Sequence, residues 1–395
     1  MFFLILVLIF LFFSYFIFEK IKNDGNRKRI KYLIHVNGIR GKSTVSRLID
    51  AGLREAGFKV FTKITGTSPR IIDTAGVEKE ILRKGKANIR EQIKAINWAC
   101  KDGAEILILE CMAVNPEFQK ITEEKILKAD IAVITNVRED HLDEMGENLS
   151  EIAKSLANTI PQKGKLITAA ENYFDFFKKE AEKKCSQVFL VDENKIEDKK
   201  EYGKIDFPIN VALALETCKQ LYVDEKILLK GMKKYKKDSG VLKIYHLKIN
   251  DKKIFFINAM AANDPDSTEI ILEKIKKDRY WRENKKILLL NNRKDRISRA
   301  EQHVKLIKKI ENQFDEIIIF GENRNLLKKM VLKENISSGK VSLKKDSRFL
   351  NEITENSLIF AIGNICGRGK ELVEFFESRE EINNDKYNID SWNNK

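Results

Sequence analysis

The chain has 395 residues, with 73 Lys and Arg against 59 Asp and Glu, a net charge of +14. With 43% apolar residues, 5 Pro and 19 Gly it is neither a disordered nor a collagenous chain, and it is long enough for two domains with sizeable cores. Its five cysteines (Cys100, Cys111, Cys185, Cys218 and Cys366) are odd in number, widely spaced and form no CxxC pair, which argues against a disulfide scaffold or zinc ribbon and for a reducing compartment.

The first 18 residues, MFFLILVLIFLFFSYFIF, carry no charge. As a helix they would reach roughly 27 Å, close to the hydrocarbon thickness of a bilayer. A cleaved signal peptide would begin with a basic region and end in small residues, and neither is present, so residues 1–18 are expected to form an uncleaved transmembrane anchor. Residues 19–31 carry Lys20, Lys22, Arg27, Lys28, Arg29 and Lys31 against Glu19 and Asp24. They read as a basic juxtamembrane linker that keeps the rest of the chain in the cytoplasm. The overall positive charge is read either as general lysine richness or as attraction for an anionic ligand.

Beyond the linker the pattern is α/β. Tyr32 to Val36 is a short apolar run, followed by a glycine-bearing loop and by Lys42 to Gly57, where Val45, Leu48, Ile49, Leu53 and Ala56 recur at helical spacing. Further strands are predicted at Phe58 to Ile64, Ile106 to Leu109 and Ile131 to Thr135, with a helix carrying Ile89, Ile93 and Ile96 between them. Strands separated by helices predict a parallel sheet. The polar stretch Lys236 to Gly240 breaks this pattern. After it, Leu242 to Ile249 and Lys253 to Asn258 read as a hairpin about Asn250 and Asp251, and strands at Ile287 to Leu290, Glu316 to Phe320 and Ser357 to Ile362 resume the alternation. The expected organisation is therefore a P-loop parallel-sheet ATPase domain over 32–238, a smaller Rossmann-like domain over 239–378 and a polar tail over 379–395.

The loop Gly38-Ile-Arg-Gly41-Lys42-Ser43-Thr44 lies between a predicted strand and a predicted helix. Such a loop aims backbone N–H groups and a helix N-terminus at phosphate, Lys42 can reach the β and γ oxygens, and Ser43 or Thr44 can ligate Mg²⁺. Val36 stands where the eight-residue consensus has its first Gly, so the loop is of a shorter kind. Glu110 ends the run ILILE, and Asn136 to Asp143, with Asp140 and His141, follows the strand ending at Thr135. All three clusters fall after strand carboxyl ends, along the one edge where ligands bind. There a carboxylate can hold the nucleotide's Mg²⁺ and a neutral imidazole can hold a second divalent ion. His246 and His303 have no such company and read as ordinary packing residues.

Together the loop GxxGKST, the strand-ending glutamate and the TNxxxDHLDxxG segment (Thr135 to Gly146) resemble the Mur ligase superfamily of ATP-dependent amide ligases. The wording VNGIRGKSTVSRLI, KITGTSPR, ECMAVNPEFQ and GNICG is similar to the PgsB/CapB poly-γ-glutamate synthase family within it, over about residues 1–378. The resemblance implies that Asn37, Gly38, Arg40, Gly41, Lys42, Ser43, Thr44 and Asn136 surround ATP, that Asn210 contacts adenine, and that Ser43, Thr44, Glu110 and His141 hold Mg²⁺ or Mn²⁺, with Lys42, Glu110 and His141 catalytic. In the second domain it implies two closing and acceptor loops, one with Asn258, Asn263 and Asp264, the other with Arg293, Asp295 and Arg296. Several positions depart from the family pattern: Asn258 replaces a common Asp, Ala261 a His and Lys243 an Arg, and the metal-bridging carbamylated lysine would fall near Leu156, beside Lys154.

The implied activity is an ADP-forming ligation: a glutamyl carboxylate is activated as an acyl phosphate and joined to glutamate, building poly-γ-glutamate at the cytoplasmic membrane. Small integral membrane subunits are the implied partners, and nucleic acid is not expected. The alternative on the same residues is a membrane-anchored P-loop ATPase that energises export or assembly without forming a bond.

Overall fold

The structure, a computed structural model, describes residues 2–65, 69–83, 85, 87–140, 142–196, 198–236, 243–260, 265–292, 297–365 and 367–379. The chain divides into two compact units that part between residues 237 and 238.

The first unit begins with a helix, α1 (Phe2–Arg29), whose apolar half is long enough to cross a bilayer and is buried against nothing. The helix does not stop at Phe18. It runs unbroken through the basic stretch, because Lys, Arg and Asn there are tolerated helix formers and the segment contains no Pro. Residues spaced four apart on its second half, Glu19, Asn23 and Arg27, form one stripe. Asn23 is buried and donates to the Ile126 carbonyl at 2.9 Å, and Arg27 pairs with Asp130 at 2.6 Å while also donating to the carbonyls of Leu127 and Lys128. The segment expected to be a linker is thus docked on the unit it precedes.

Among the described residues the first sheet has eight strands: β1 (Tyr32–Asn37), β2 (Val60–Ile64), β3 (Arg70–Ile72), β4 (Glu78–Glu80), β5 (Ile106–Glu110), β6 (Ile131–Ile134), β7 (Lys165–Thr168) and β8 (Gln187–Leu190). Their spatial order is β4-β3-β2-β5-β1-β6-β7-β8, with β1 paired in parallel to both β5 and β6. The edge strands β3 and β4 are antiparallel, three residues each, and carry too little apolar pattern to be anticipated.

Alternation along β1 and β5 sorts the core into two layers. Ile34, Val36, Ile106 and Ile108 face α2 (Lys42–Glu55), packing on Val45, Leu48, Ile49 and Leu53 and on the helix Pro208–Lys219. Leu33, Leu107 and Leu109 face the opposite side and pack on Ala95, Ile96 and Ala99 of α3 (Arg90–Lys101). Truncating a fully buried side chain such as Leu48 to Ala would cost about 2–5 kcal/mol.

Among the described residues the second unit has a six-stranded sheet of β9 (Lys243–Ile249), β10 (Lys252–Asn258), β11 (Lys285–Asn292), β12 (Glu316–Gly321), β13 (Val341–Lys344) and β14 (Ser357–Gly363) in the order β13-β12-β11-β14-β10-β9. β9 and β10 form the expected antiparallel hairpin. Its turn residues Asn250 and Asp251 have φ of 47° and 63°, the pair of positive values a tight hairpin turn needs. The other neighbours are parallel, as in a Rossmann-like domain.

Candidate active site

The P-loop leaves the carboxyl end of β1, at the centre of the sheet. Gly38 has φ of 118°, and a Cβ there would lie 2.1 Å from the Thr135 hydroxyl oxygen, so the loop passes the end of β6 closer than any side chain allows. Gly41, with φ of 82°, is the N-cap of α2, and no side chain caps that end, leaving the first-turn N–H groups directed at the site. Asn136 pins the loop from the side: its amide oxygen accepts from the Arg40 N–H and its amide nitrogen donates to the Arg40 carbonyl, both at 3.0 Å. Thr135 donates to the same carbonyl, and Arg40 reaches Asp140 at 3.0 Å.

Lys42 folds back over this loop and donates to the Gly38 carbonyl at 2.7 Å and the Ile39 carbonyl at 3.2 Å. Burial pushes its pKa below the ordinary lysine value; Glu110 pulls it up again, while the nearby Arg40 adds to the depression. The Lys42 side chain is half-buried, so its attraction for an anion is screened less than at an open surface.

Strand alternation puts Glu110 on the α2 side of β5, in line with Ile106 and Ile108, and there it meets the first turn of α2. Ser43 donates its hydroxyl to Glu110 Oε2 at 2.9 Å, and the Thr65 N–H donates to the same oxygen at 2.9 Å. Glu110 is 3% exposed. Thr44, the next residue, is half-buried and is not joined to it by any bond described here. A hydroxyl and a carboxylate oxygen side by side at a P-loop are hard donors suited to Mg²⁺ or Mn²⁺, with nucleotide phosphates completing the shell. Among the described residues no three His, Cys, Asp or Glu cluster closely enough to hold a metal ion by themselves.

Asn210 stands beside this loop. Its Oδ1 is 2.8 Å from where a Cβ on Gly41 would be, and its Nδ2 donates to Asp206 at 3.0 Å, with Tyr235 donating to the other Asp206 oxygen. Asn37, at the end of β1, points to the opposite face and is held by Gln119 at 3.0 Å and by Thr159, so it supports the loop from beneath. His141 lies outside the described residues. So do Asn263, Asp264, Arg293, Asp295 and Arg296. Asn258 closes β10 fully buried, with its Oδ1 accepting from the Met260 N–H at 3.3 Å.

Two buried charge arrangements under the site went unread in the sequence. His35 on β1 bonds Glu123 at 2.8 Å, and Glu123 also accepts from the Ala129 N–H. Burial opposes charge on the imidazole, but Cys111 and Glu123 outweigh it and raise the pKa to about 10. Lys63 on β2 is fully buried, bonds Gln92 at 3.2 Å and lies 3.7 Å from Glu91, while Gln92 in turn donates to the Glu110 carbonyl at 3.1 Å. Burial pushes Lys63 down to about 8.

Comparison with known proteins matches residues 36–213 to the Mur ligase middle domain and residues 244–379 to the poly-gamma-glutamate synthase CapB C-terminal domain. The chain is 36% identical over 370 residues to PGA synthase CapB of Bacillus subtilis (strain 168), covering 91% of this chain and 93% of that one. It belongs to the CapB family. A second member, the capsule biosynthesis protein CapB of Bacillus anthracis, is 34% identical over 372 residues, covering 91% of this chain and 79% of the relative. Solved structures extend the likeness of this CapB family member at the level of fold. E. coli FolC in complex with ADP has a TM-score of 0.67 at 14% identity, covering 91% of this chain and 92% of that one. The bifunctional folylpolyglutamate synthase/dihydrofolate synthase from Yersinia pestis, solved with AMPPNP and Mn ion, has a TM-score of 0.66 at 12% identity, covering 90% and 92%.

Proposed function

We propose that this chain is an ATP-dependent amide ligase that builds poly-γ-glutamate. The carrying observation is that a Mur ligase middle domain and a CapB C-terminal domain follow one another in a chain 36% identical to a CapB protein over nearly its whole length. In the first of them, Lys42, Ser43 and Glu110 share one sheet edge.

In the proposed reaction a γ-carboxylate oxygen at a glutamyl chain end attacks the γ-phosphorus of ATP, and ADP leaves. The amine of an incoming glutamate then attacks the acyl carbon, phosphate leaves with the C–O electron pair, and the amine proton passes to solvent or phosphate. Lys42 and the open N-terminus of α2 neutralise phosphate charge and fix the line of attack, so positioning and electrostatics carry the catalysis. Ser43 and Glu110 are the residues that would hold the divalent ion, and His141 is proposed to hold a second. When bound, such an ion spreads the negative charge of the transferring phosphoryl group.

The apolar half of α1 supports single-pass anchoring in the cytoplasmic membrane, with the catalytic units in the cytoplasm. Small integral membrane subunits are the proposed partners there. The test is ADP release by purified full-length protein with and without glutamate, followed by mass spectrometry of the product. Glutamate-dependent ADP release with a lengthening glutamyl chain is expected; ADP release indifferent to glutamate and without polymer would replace ligation with simple ATP hydrolysis.

A further inference from the structure

Where α1 leaves its apolar run, the catalytic unit already touches it. Arg90, the first residue of α3, pairs with Glu19 at 2.5 Å, reaches the Tyr15 hydroxyl at 3.5 Å and lies over the Phe16 ring at 5.5 Å from its centroid. A hydrocarbon layer of about 30 Å takes up about 20 helical residues. The uncharged run ends at Phe18, so Tyr15, Phe16 and Glu19 fall where the helix leaves the span, at the depth where aromatic side chains meet the headgroups. A side chain of the catalytic unit that grips those three residues sits at that depth too.

The neighbouring contacts give the direction. Asn97, two turns along α3, meets Asn26, two turns along α1, at 3.3 Å, so the two helices run side by side away from the bilayer and the start of α3 is its membrane end. Arg83, which follows Leu82 in the chain, forks onto Glu91 in the first turn of α3 at 2.8 and 3.0 Å, so the backbone beside Leu82 is tied to that same end. Leu82 is 86% exposed, an apolar side chain that the described residues leave uncovered. Lys20 and Lys22 are exposed on α1 at this level, and Arg90 keeps 45% of its side chain accessible, with guanidinium donors to spare for phosphate.

We propose that the catalytic unit rests on the membrane as well as being tied to it, with Leu82 inserted at the headgroup and acyl boundary of the bilayer that α1 spans and Arg90 at the level of the lipid phosphates. This rests on the reading of α1 as a membrane span. The contact makes a second, peripheral attachment beside the anchor, and the Arg90–Glu19 pair sets its height.

The test uses the full chain carrying Leu82→Trp, reconstituted in phosphatidylcholine vesicles with plain acyl chains or with bromine near the headgroup end. Wild type in the same vesicles gives the background of the three native tryptophans. The added emission should be blue-shifted and quenched by about half in brominated vesicles, as for an interfacial indole. Arg90→Glu should reduce that quenching, and Arg90→Glu with Glu19→Arg should restore it. Unquenched, water-like emission from a chain that stays with the vesicles through a carbonate wash overturns the contact and leaves the anchor standing. Release of the chain by carbonate overturns the anchor, and the contact with it. Quenching unaffected by Arg90→Glu would remove the ion pair as its support.

Discussion

Ser43 and Glu110, 67 residues apart, are joined by a 2.9 Å hydrogen bond that links the start of the P-loop helix to the end of the neighbouring strand. The same carboxylate oxygen takes the Thr65 N–H, so three chain segments meet on one atom. Ser43, and not the adjacent Thr44, makes the described bond to Glu110. Ser43→Ala is expected to raise the Mg²⁺ concentration for half-maximal ATP turnover by about tenfold or more, and Thr44→Ala far less. Magnesium titrations of ADP release compare them directly; equal shifts would mean that the two hydroxyls share the task.

Lys42→Ala should reduce ATP turnover by about a hundredfold or more, the scale of losing one preorganised electrostatic contact to the reacting group. Its hydrogen bonds go to loop carbonyls and not into the core, so thermal unfolding should stay near that of wild type. Near-normal turnover in a folded variant would remove this lysine from the phosphate site.

Asp206 would act on the proposed nucleotide site through Asn210. With Tyr235 on one oxygen and Asn210 on the other, it fixes the amide that stands against Gly41. Asp206→Ala frees that amide, and the expected result is ADP binding weakened by about three- to tenfold, an interaction scale of about 1 kcal/mol, with a smaller effect on turnover at saturation. Calorimetric titration with ADP measures it. Unchanged affinity would show that the position of Asn210 does not depend on its partner.

The His35–Glu123 pair predicts a pH dependence. The imidazole keeps its proton in the folded protein up to about pH 10, whereas in the unfolded chain it loses it near 6.5. Its contribution is complete below the unfolded value and is lost as pH rises from about 6.5 toward about 10. Glu123→Gln should therefore destabilise the first unit by about 3 kcal/mol below neutrality, and the gap to wild type should close as pH climbs. Urea unfolding at a series of pH values reads the gap directly; a constant gap would mean an imidazole that is neutral in the folded state.

Removing residues 1–18 takes away apolar surface that meets the first unit through the exposed Arg90 contacts to Tyr15 and Phe16, and should leave its unfolding nearly unchanged. Removing 1–29 also takes the buried Asn23 and the Arg27 guanidinium with its carbonyl and Asp130 bonds. That deletion should cost several kcal/mol, at about 1.5–3 for each charged hydrogen bond and less for a neutral one. Unfolding of the two truncated chains side by side checks it, and equal stability would reduce the docked stripe to an ornament of the surface.

What could be read from the sequence was local or periodic. The P-loop is compact, Glu110 ends an unmistakable strand, and the β9–β10 turn announces itself in Asn250 and Asp251. Glu123 could not be found that way. It sits in TEEK, which looks like a solvated helix face, and only a π-helical stretch over Thr122–Leu127 and the neighbouring β1 turn it onto His35. Lys63 is similar: a lysine in a strand reads as an edge or surface residue until Gln92 and Glu91 are brought over it by α3. The docked half of α1 is hidden for the same reason, since a basic, polar run carries no sign of the carbonyls it meets.

The unbroken course of α1 has a mechanical consequence. A helix of 28 residues, about 42 Å long, with its last turns clamped to the first unit has no swivel between its apolar half and the P-loop sheet. With α1 spanning a membrane as proposed, turning the first unit about the membrane normal turns the helix with it, and the sheet edge that carries the P-loop keeps a fixed bearing relative to whichever side of the span another membrane helix packs against. Adding residues between Phe18 and Glu19 would rotate that bearing by about 100° each, leaving ATP chemistry intact while moving where the chain end emerges.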